Sequence, residues 1–255
     1  MKRFSIFLYG VACYAIFFGT FLYAIGFIGN FIVPSTLDGD ARKPFGESLL
    51  VDLGLLALFA IQHSLMARPF FKRWLTRFVP ESAERSTYVL MSSLALIALF
   101  AFWQPLGGDV WTVTNPIAQG AIWGAFGFGW LLVLVATFLI NHFDLFGLRQ
   151  VWLQLLGRKY THVAFRTPGP YRYVRHPLYV GWFFAFWATP TMTLSHLVFA
   201  LMTTAYILVA IQLEERDLVA HLGPAYREYR ERVPMIVPFT RRRYDRSGIT
   251  VRTGL

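Results

Sequence analysis

Apolar residues of this 255-residue chain gather into six runs, at about 4–33, 48–66, 86–106, 118–140, 178–189 and 194–213, separated by polar connections. At a rise of about 1.5 Å per residue, a helix needs roughly 20 apolar residues to cross a bilayer, so the first four runs and the last are long enough. The fifth has twelve residues and reaches only about 18 Å. It reads as a short tilted span or as half of a re-entrant hairpin turned at Thr189-Pro190, and either returns the chain to the side it left. The pattern predicts an all-α, polytopic transmembrane bundle of five full spans plus one short span or re-entrant helix. The first run resembles a signal peptide in its Lys2-Arg3 start. It is far longer than the usual 7–15 apolar residues and lacks a small-x-small cleavage site, so it is expected to be retained.

The polar connections orient the bundle. Of 24 lysines and arginines, all but Arg42 and Lys43 fall before the first run, in connections 67–85 and 141–177, or in the tail. Positive residues collect on the cytoplasmic side of a membrane protein, so both termini are expected there.

Composition agrees. The chain is 56% hydrophobic and 15% charged, whereas a soluble domain has roughly 45–50% apolar and about 25% charged residues. That excludes an ordinary soluble enzyme. A net charge of +10 would suggest nucleic acid in a soluble protein, but membrane orientation accounts for it, so lipid is the expected partner and nucleic acid is not. No obligate protein partner is evident. The single cysteine, Cys13, excludes an internal disulfide framework, and no histidines pair at i, i+3 or i+4, so no metal site is expected. Without repeats or linkers, one membrane domain covers 1–255. It comprises membrane helices and a connection (1–168), a motif-bearing region (169–238) and a basic tail (239–255). In the tail Arg241, Arg242, Arg243 and Arg246 suit anionic lipid. Gly120, Gly124 and Gly127 recur at helical spacing, which predicts close helix packing. The Gly-x-Gly in Gly124 to Trp130 follows no strand, so it is not read as a nucleotide loop.

The two longest polar stretches carry the candidate chemistry. In the connection 141–177, Pro168, Gly169 and Pro170 set a turn, and His176-Pro177 places a proline where a helix can begin. Arg175 then offers a cation for a carboxylate, and Gly181 offers close backbone approach for a ligand. The alternative is an interfacial Arg/Tyr belt reaching to lipid headgroups. Glu214 and Glu215 close the last apolar run, where a helix C-terminus disfavours acids, so a positive partner from protein or ligand is expected. Gln62-His63-Ser64 ends the second run, and Asn141-His142-Phe143-Asp144 ends the fourth. The topology puts His63, Asn141, His142, Asp144, Arg175, His176, Glu214 and Glu215 at one depth near the cytoplasmic interface. Titratable groups clustered at the edge of an apolar bundle define a candidate site. Asp52 falls near the opposite surface and reads as a packing or interhelical hydrogen-bond residue. His162, His196 and His221 have no assignment.

The strings GPYRYVRHPLYVGW and EERDLVAHLGPAYREYRERVPMIVPF resemble the isoprenylcysteine carboxyl methyltransferase and phospholipid methyltransferase superfamily. The shared pattern is Arg175-His176-Pro177-x-Tyr179-x-Gly181, Glu214-Glu215, Gly223-x-x-Tyr226-x-x-Tyr229 and Val233-Pro234. It covers about 169–238, under a third of the chain. Upstream, IQHSLMARP (61–69) and INHFDLFGLRQVW (140–152) resemble the bacterial methanethiol S-methyltransferase branch, and NnrU-like membrane proteins share some of this character. The resemblance implies S-adenosylmethionine as methyl donor, S-adenosylhomocysteine as product and a cofactor pocket lined by Tyr171, Arg175, His176, Pro177, Tyr179, Gly181, Glu214 and Glu215. Arg175 would meet the methionine carboxylate, a glutamate its amino group or the ribose, and Tyr179 the adenine.

The resemblance further implies that the acceptor is a small thiol, giving dimethyl sulfide and serving sulfur metabolism. An alkyl thiol is mostly protonated at neutral pH, and a base near its sulfur is worth up to about 10²–10⁴-fold. His142, oriented by Asp144 and beside Asn141, is the first candidate and His63 the second. Alternative readings are a lipid or isoprenylated-cysteine acceptor, or a NnrU-like haem protein ligated by His63 and His142.

Overall fold

Five helices are long and apolar enough to cross a membrane: α1 (Lys2–Gly29), α2 (Phe45–Met66), α4 (Glu81–Phe102), α5 (Pro116–Ile140) and α9 (Leu194–Leu222). The structure, a computed structural model, describes residues 2–161, 165–240, 243–244 and 250–251. His162, Arg241, Arg242 and Arg246 lie outside the described residues, as do the side chain of Arg243 and most of the tail. The expected spans are all helical, and their ends differ for local reasons. Helix α4 begins at Glu81, five residues before the apolar run, because Pro80 is followed by Glu81 and Glu84 in a favourable first turn. Helix α9 runs past the apolar run to Leu222 and stops at Gly223, whose φ of +60° suits glycine, before Pro224 opens α10 (Pro224–Arg232). Glu214 and Glu215 are therefore well inside α9, and the expectation of acids facing a helix C-terminus is corrected.

Polar connections that the apolar pattern leaves unassigned contain short helices: α3 (Pro69–Leu75), α6 (His142–Leu145) and α7 (Leu148–Leu155). Helix α1 packs on α4 and α7, α2 on α4 and α9, and α5 on α8 (Pro177–Trp187). The α1–α7 approach is close: a Cβ at Gly10 would meet the Val151 side chain at 2.5 Å. The core holds Phe27, Leu99, Phe100, Trp103, Phe199 and Ile211.

The short fifth segment is the 11-residue α8 followed by strand β2 (Thr191–Thr193). Strand β2 pairs antiparallel with β1 (Asp109–Thr112), which lies between α4 and α5. The segment thus reaches the end of the bundle where α4 stops and α5 starts, and a ribbon completes what the helix is too short to cover. Thr193 and His196 bond Asp38 there, and the Trp103 indole donates to the Leu37 carbonyl at 3.0 Å. A second two-residue pairing joins β3 (Arg243–Tyr244) to β4 (Thr250–Val251). The opposite end, where α1 and α4 begin and α2 and α5 stop, carries most of the arginines and is called the basic end below.

Glycines in α5 correct one expectation. Cβ atoms at Gly120, Gly124 and Gly127 would meet nothing within 4 Å, so these residues do not mediate helix contact. Gly129 does. A Cβ there would lie 2.6 Å from the Ala185 backbone nitrogen, and one at Gly181 would lie 2.8 Å from the Gly129 carbonyl oxygen. Gly181 is accordingly a helix-packing glycine.

Candidate active site

Pro177 opens α8 at its first turn, where its missing N–H costs nothing, and Arg175 and His176 immediately precede it at the basic end. Their backbone N–H groups donate to the carbonyls of Pro234 (2.9 Å) and Met235 (3.2 Å). The Arg175 guanidinium is buried. It donates from Nε to Glu215 Oε1 at 2.6 Å and from Nη1 to the carbonyls of Arg230 (3.1 Å) and Val233 (2.5 Å). His176 Nε2 donates to the same Glu215 oxygen at 3.0 Å. The Tyr229 hydroxyl donates to the Tyr171 carbonyl at 2.6 Å. Segment 230–235 is thereby fastened across the start of α8. Arg175 commits three of its five N–H groups to the protein itself, and Nη2 takes no part in these bonds.

The two glutamates have different environments. Glu215 is buried and compensated by Arg175 and His176. The Glu214 side chain is 45% exposed; it accepts from the Tyr179 hydroxyl at 2.9 Å, and the His176 ring stands 4.0 Å away. Burial and the Glu214 charge push the Tyr171 phenol up, and burial pushes Tyr229 up to about 12. The Tyr226 hydroxyl, on the α10 face turned to this group, is buried without a hydrogen-bond partner among the described residues.

His63 belongs to a polar wall on α2 and α4. Its Nε2 is 2.8 Å from the Tyr88 hydroxyl and its Nδ1 is 3.1 Å from Ser92 Oγ. Phe59 stacks on the imidazole at 5.2 Å, and Ser64, next in sequence, bonds the Tyr206 hydroxyl of α9 at 3.1 Å. Tyr179 lies within electrostatic range of both Tyr206 and Tyr88.

His142 is elsewhere, between α1 and α5. Thr137 Oγ1 donates to the Leu134 carbonyl at 2.7 Å, so at 2.8 Å it accepts from His142 Nδ1–H. The remaining nitrogen, Nε2, then takes the Tyr14 hydroxyl proton at 2.8 Å. The ring stacks on Phe138 at 4.2 Å, and burial pushes its pKa down. Asp144 does not orient it. That carboxylate pairs with Arg149 at 2.8 Å and accepts from Tyr160 at 3.2 Å, while the Asn141 side chain caps α6 by accepting from the Asp144 N–H at 3.1 Å. By their partners the expected residues form three sets: Arg175, His176, Tyr179, Glu214 and Glu215 bond one another, His63 bonds Tyr88 and Ser92, and Asn141, His142 and Asp144 bond their own neighbours. Tyr88, Ser92 and Tyr206 are absent from the sequence reading. Single hydroxyl residues inside apolar runs give no local signal, and Tyr206 meets Ser64 across 142 positions.

A membrane helix bundle with these motifs belongs to a recognisable class. Residues 130–220 match the model of the isoprenylcysteine carboxyl methyltransferase (ICMT) family, and relatives that match nearly the whole chain are named as methyltransferases, so the protein is a membrane methyltransferase. The chain is 56% identical over 239 residues to a methanethiol S-methyltransferase of Crocosphaera subtropica, covering 94% of each. It is 52% identical over 242 residues to a methanethiol S-methyltransferase of Mycobacterium tuberculosis, covering 95% of this chain and 99% of that one. It is 35% identical over 185 residues to nurim of Bos taurus, covering 68% and 70%. No solved structure matches. The chain belongs to the methanethiol S-methyltransferase family.

Proposed function

We propose that the protein transfers a methyl group from S-adenosylmethionine to methanethiol, giving dimethyl sulfide and S-adenosylhomocysteine. End-to-end likeness to relatives of that name carries the reading, and the chemistry of the site is consistent with it. When bound, S-adenosylmethionine supplies an electrophilic methyl group on a sulfonium sulfur. The protein leaves available the half-exposed Glu214, its Tyr179 partner and the Tyr226 hydroxyl, which has no hydrogen-bond partner among the described residues. Glu214 suits the ammonium of the methionine end, and Tyr171 and Tyr179 suit the apolar and hydroxyl-bearing remainder. Arg175, His176 and Glu215 hold the pocket's shape, Pro177 starts its helix, and Gly181 seats that helix on α5.

The small apolar thiol fits the opposite wall, among Phe59, His63, Tyr88 and Tyr206. His63 is the base of this account. His142 is not, since its ring is buried between Tyr14, Thr137 and Phe138, whereas His63 is only half-buried. The basic end faces the cytoplasm of a bacterial inner membrane, by the asymmetry of its positive residues. The test is acceptor preference with purified protein. Methanethiol is expected to react at least tenfold faster than propanethiol, a prenylated cysteine or a phospholipid amine. Preference for any of the larger acceptors would overturn the reading.

A further inference from the structure

A groove of about 450 Å³ lies between α5 and α8. Phe128 and Leu132 of α5 form one wall, and Pro177 and Val180 of α8 the other, with Val174 and Ile236 toward the basic end. None of its lining side chains among the described residues is charged. Phe128 and Val180 directly precede Gly129 and Gly181, the glycines at which the two helices touch, so backbone contact there leaves a cleft alongside. Phe128 is exposed and stands twelve residues before the end of α5, about 18 Å along the helix, so the cleft opens at the depth of bilayer hydrocarbon.

The other end of the groove reaches the polar interface, where Gly169, Pro170 and Tyr173 face Pro238. The 3₁₀ turn Gly169–Arg172 ends on an exposed arginine whose guanidinium takes part in no ion pair or hydrogen bond among the described residues. Tyr173 and Phe239, with exposed rings 6.5 Å apart, add the aromatic pair typical of a membrane interface. An apolar cleft that rises to an unpaired cation matches a molecule with an acyl chain and an anionic head. We infer that the groove is a binding site for one anionic phospholipid, with an acyl chain along Phe128, Leu132 and Val180 and the phosphate at Arg172. The chain itself does not suit the cleft, because its sequence turns basic beyond Pro238, with five arginines in 241–255. Like charge also disfavours a second copy of this +10 chain. Val174 and Pro177 flank Arg175 and His176, and Ile236 follows Met235, whose carbonyl takes the His176 N–H. A lipid in the groove therefore braces both sides of the segment that holds the Arg175–Glu215 pair.

The test titrates full-length protein in mild detergent with phosphatidylglycerol or with phosphatidylcholine of the same acyl chains. Native mass spectrometry counts bound lipid, and a thermal scan reads stability. One phosphatidylglycerol is expected to bind about fivefold more tightly than phosphatidylcholine, as one arginine at an anionic head provides, and to raise the melting temperature by several degrees. Arg172→Gln should remove that fivefold preference, and Leu132→Trp, which fills the cleft, should remove the bound lipid and the gain in stability. Equal affinity of the wild type for the two lipids overturns the proposal. So does an unchanged preference in Arg172→Gln, whose exposed side chain makes the variant informative even if Leu132→Trp fails to fold. The readout is lipid mass, so the outcome is independent of which acceptor the enzyme methylates.

Discussion

At the scale of single residues, the division between buried and available charge decides roles. Glu215 and Glu214 are adjacent, yet Arg175 and His176 meet the first and only the Tyr179 hydroxyl and a more distant imidazole meet the second. Removing one member of a buried ion pair costs about 3–5 kcal/mol. Arg175→Ala should therefore lower the melting temperature by several degrees, whereas Glu214→Gln should leave it unchanged and weaken S-adenosylhomocysteine binding about tenfold, an effect of roughly 1.4 kcal/mol. The histidines divide similarly. His142→Gln should keep most of the activity, and His63→Gln should lose about 10²–10⁴-fold. His142 also makes a prediction about pH. Its folded pKa lies below the ordinary 6.5 because burial disfavours the charged ring. Its contribution to stability is thus present above that value and is lost as pH falls through the lowered one. Thermal unfolding at pH 5 and pH 7 should differ less in His142→Gln than in the wild type. The sequence ranked His142 ahead of His63 because it shows neighbours along the chain. Asp144, two residues away, looked like an orienting acid and instead serves Arg149 and Tyr160.

At the scale of elements, the apolar runs located every spanning helix, since burying twenty residues in lipid leaves a long compositional mark. What they could not convey was contact. The regular spacing of Gly120, Gly124 and Gly127 suggested an interface that the irregular pair Gly129 and Gly181 actually makes. Periodicity records a helix face, while a backbone-to-backbone approach depends on the partner helix. Overpacking costs about 1–3 kcal/mol. Gly129→Ala and Gly181→Ala should each destabilise the bundle by that amount in a thermal scan, and Gly124→Ala should change little. Ribbon β1–β2 was likewise illegible, because strands of four and three residues are too short for a pattern and are paired across some eighty positions.

At the scale of the whole molecule, helices α8 and α9 carry the Arg175–Glu215 group and helices α2 and α4 the His63 wall, both at the basic end. The motif region was legible because its residues are close in sequence. The wall on α2 and α4 was legible only at His63, since Tyr88 and Tyr206 acquire meaning from helix packing. Orientation is open to a direct check. An impermeant maleimide on right-side-out vesicles should label Arg42→Cys and leave Arg158→Cys unlabelled until the vesicles are opened. The central claim, methyl transfer to methanethiol, is tested most directly in one sealed vial of purified protein with S-adenosylmethionine and methanethiol. Dimethyl sulfide in the headspace and S-adenosylhomocysteine in solution are predicted to accumulate in equal amounts, and S-adenosylhomocysteine formation without dimethyl sulfide would contradict the account.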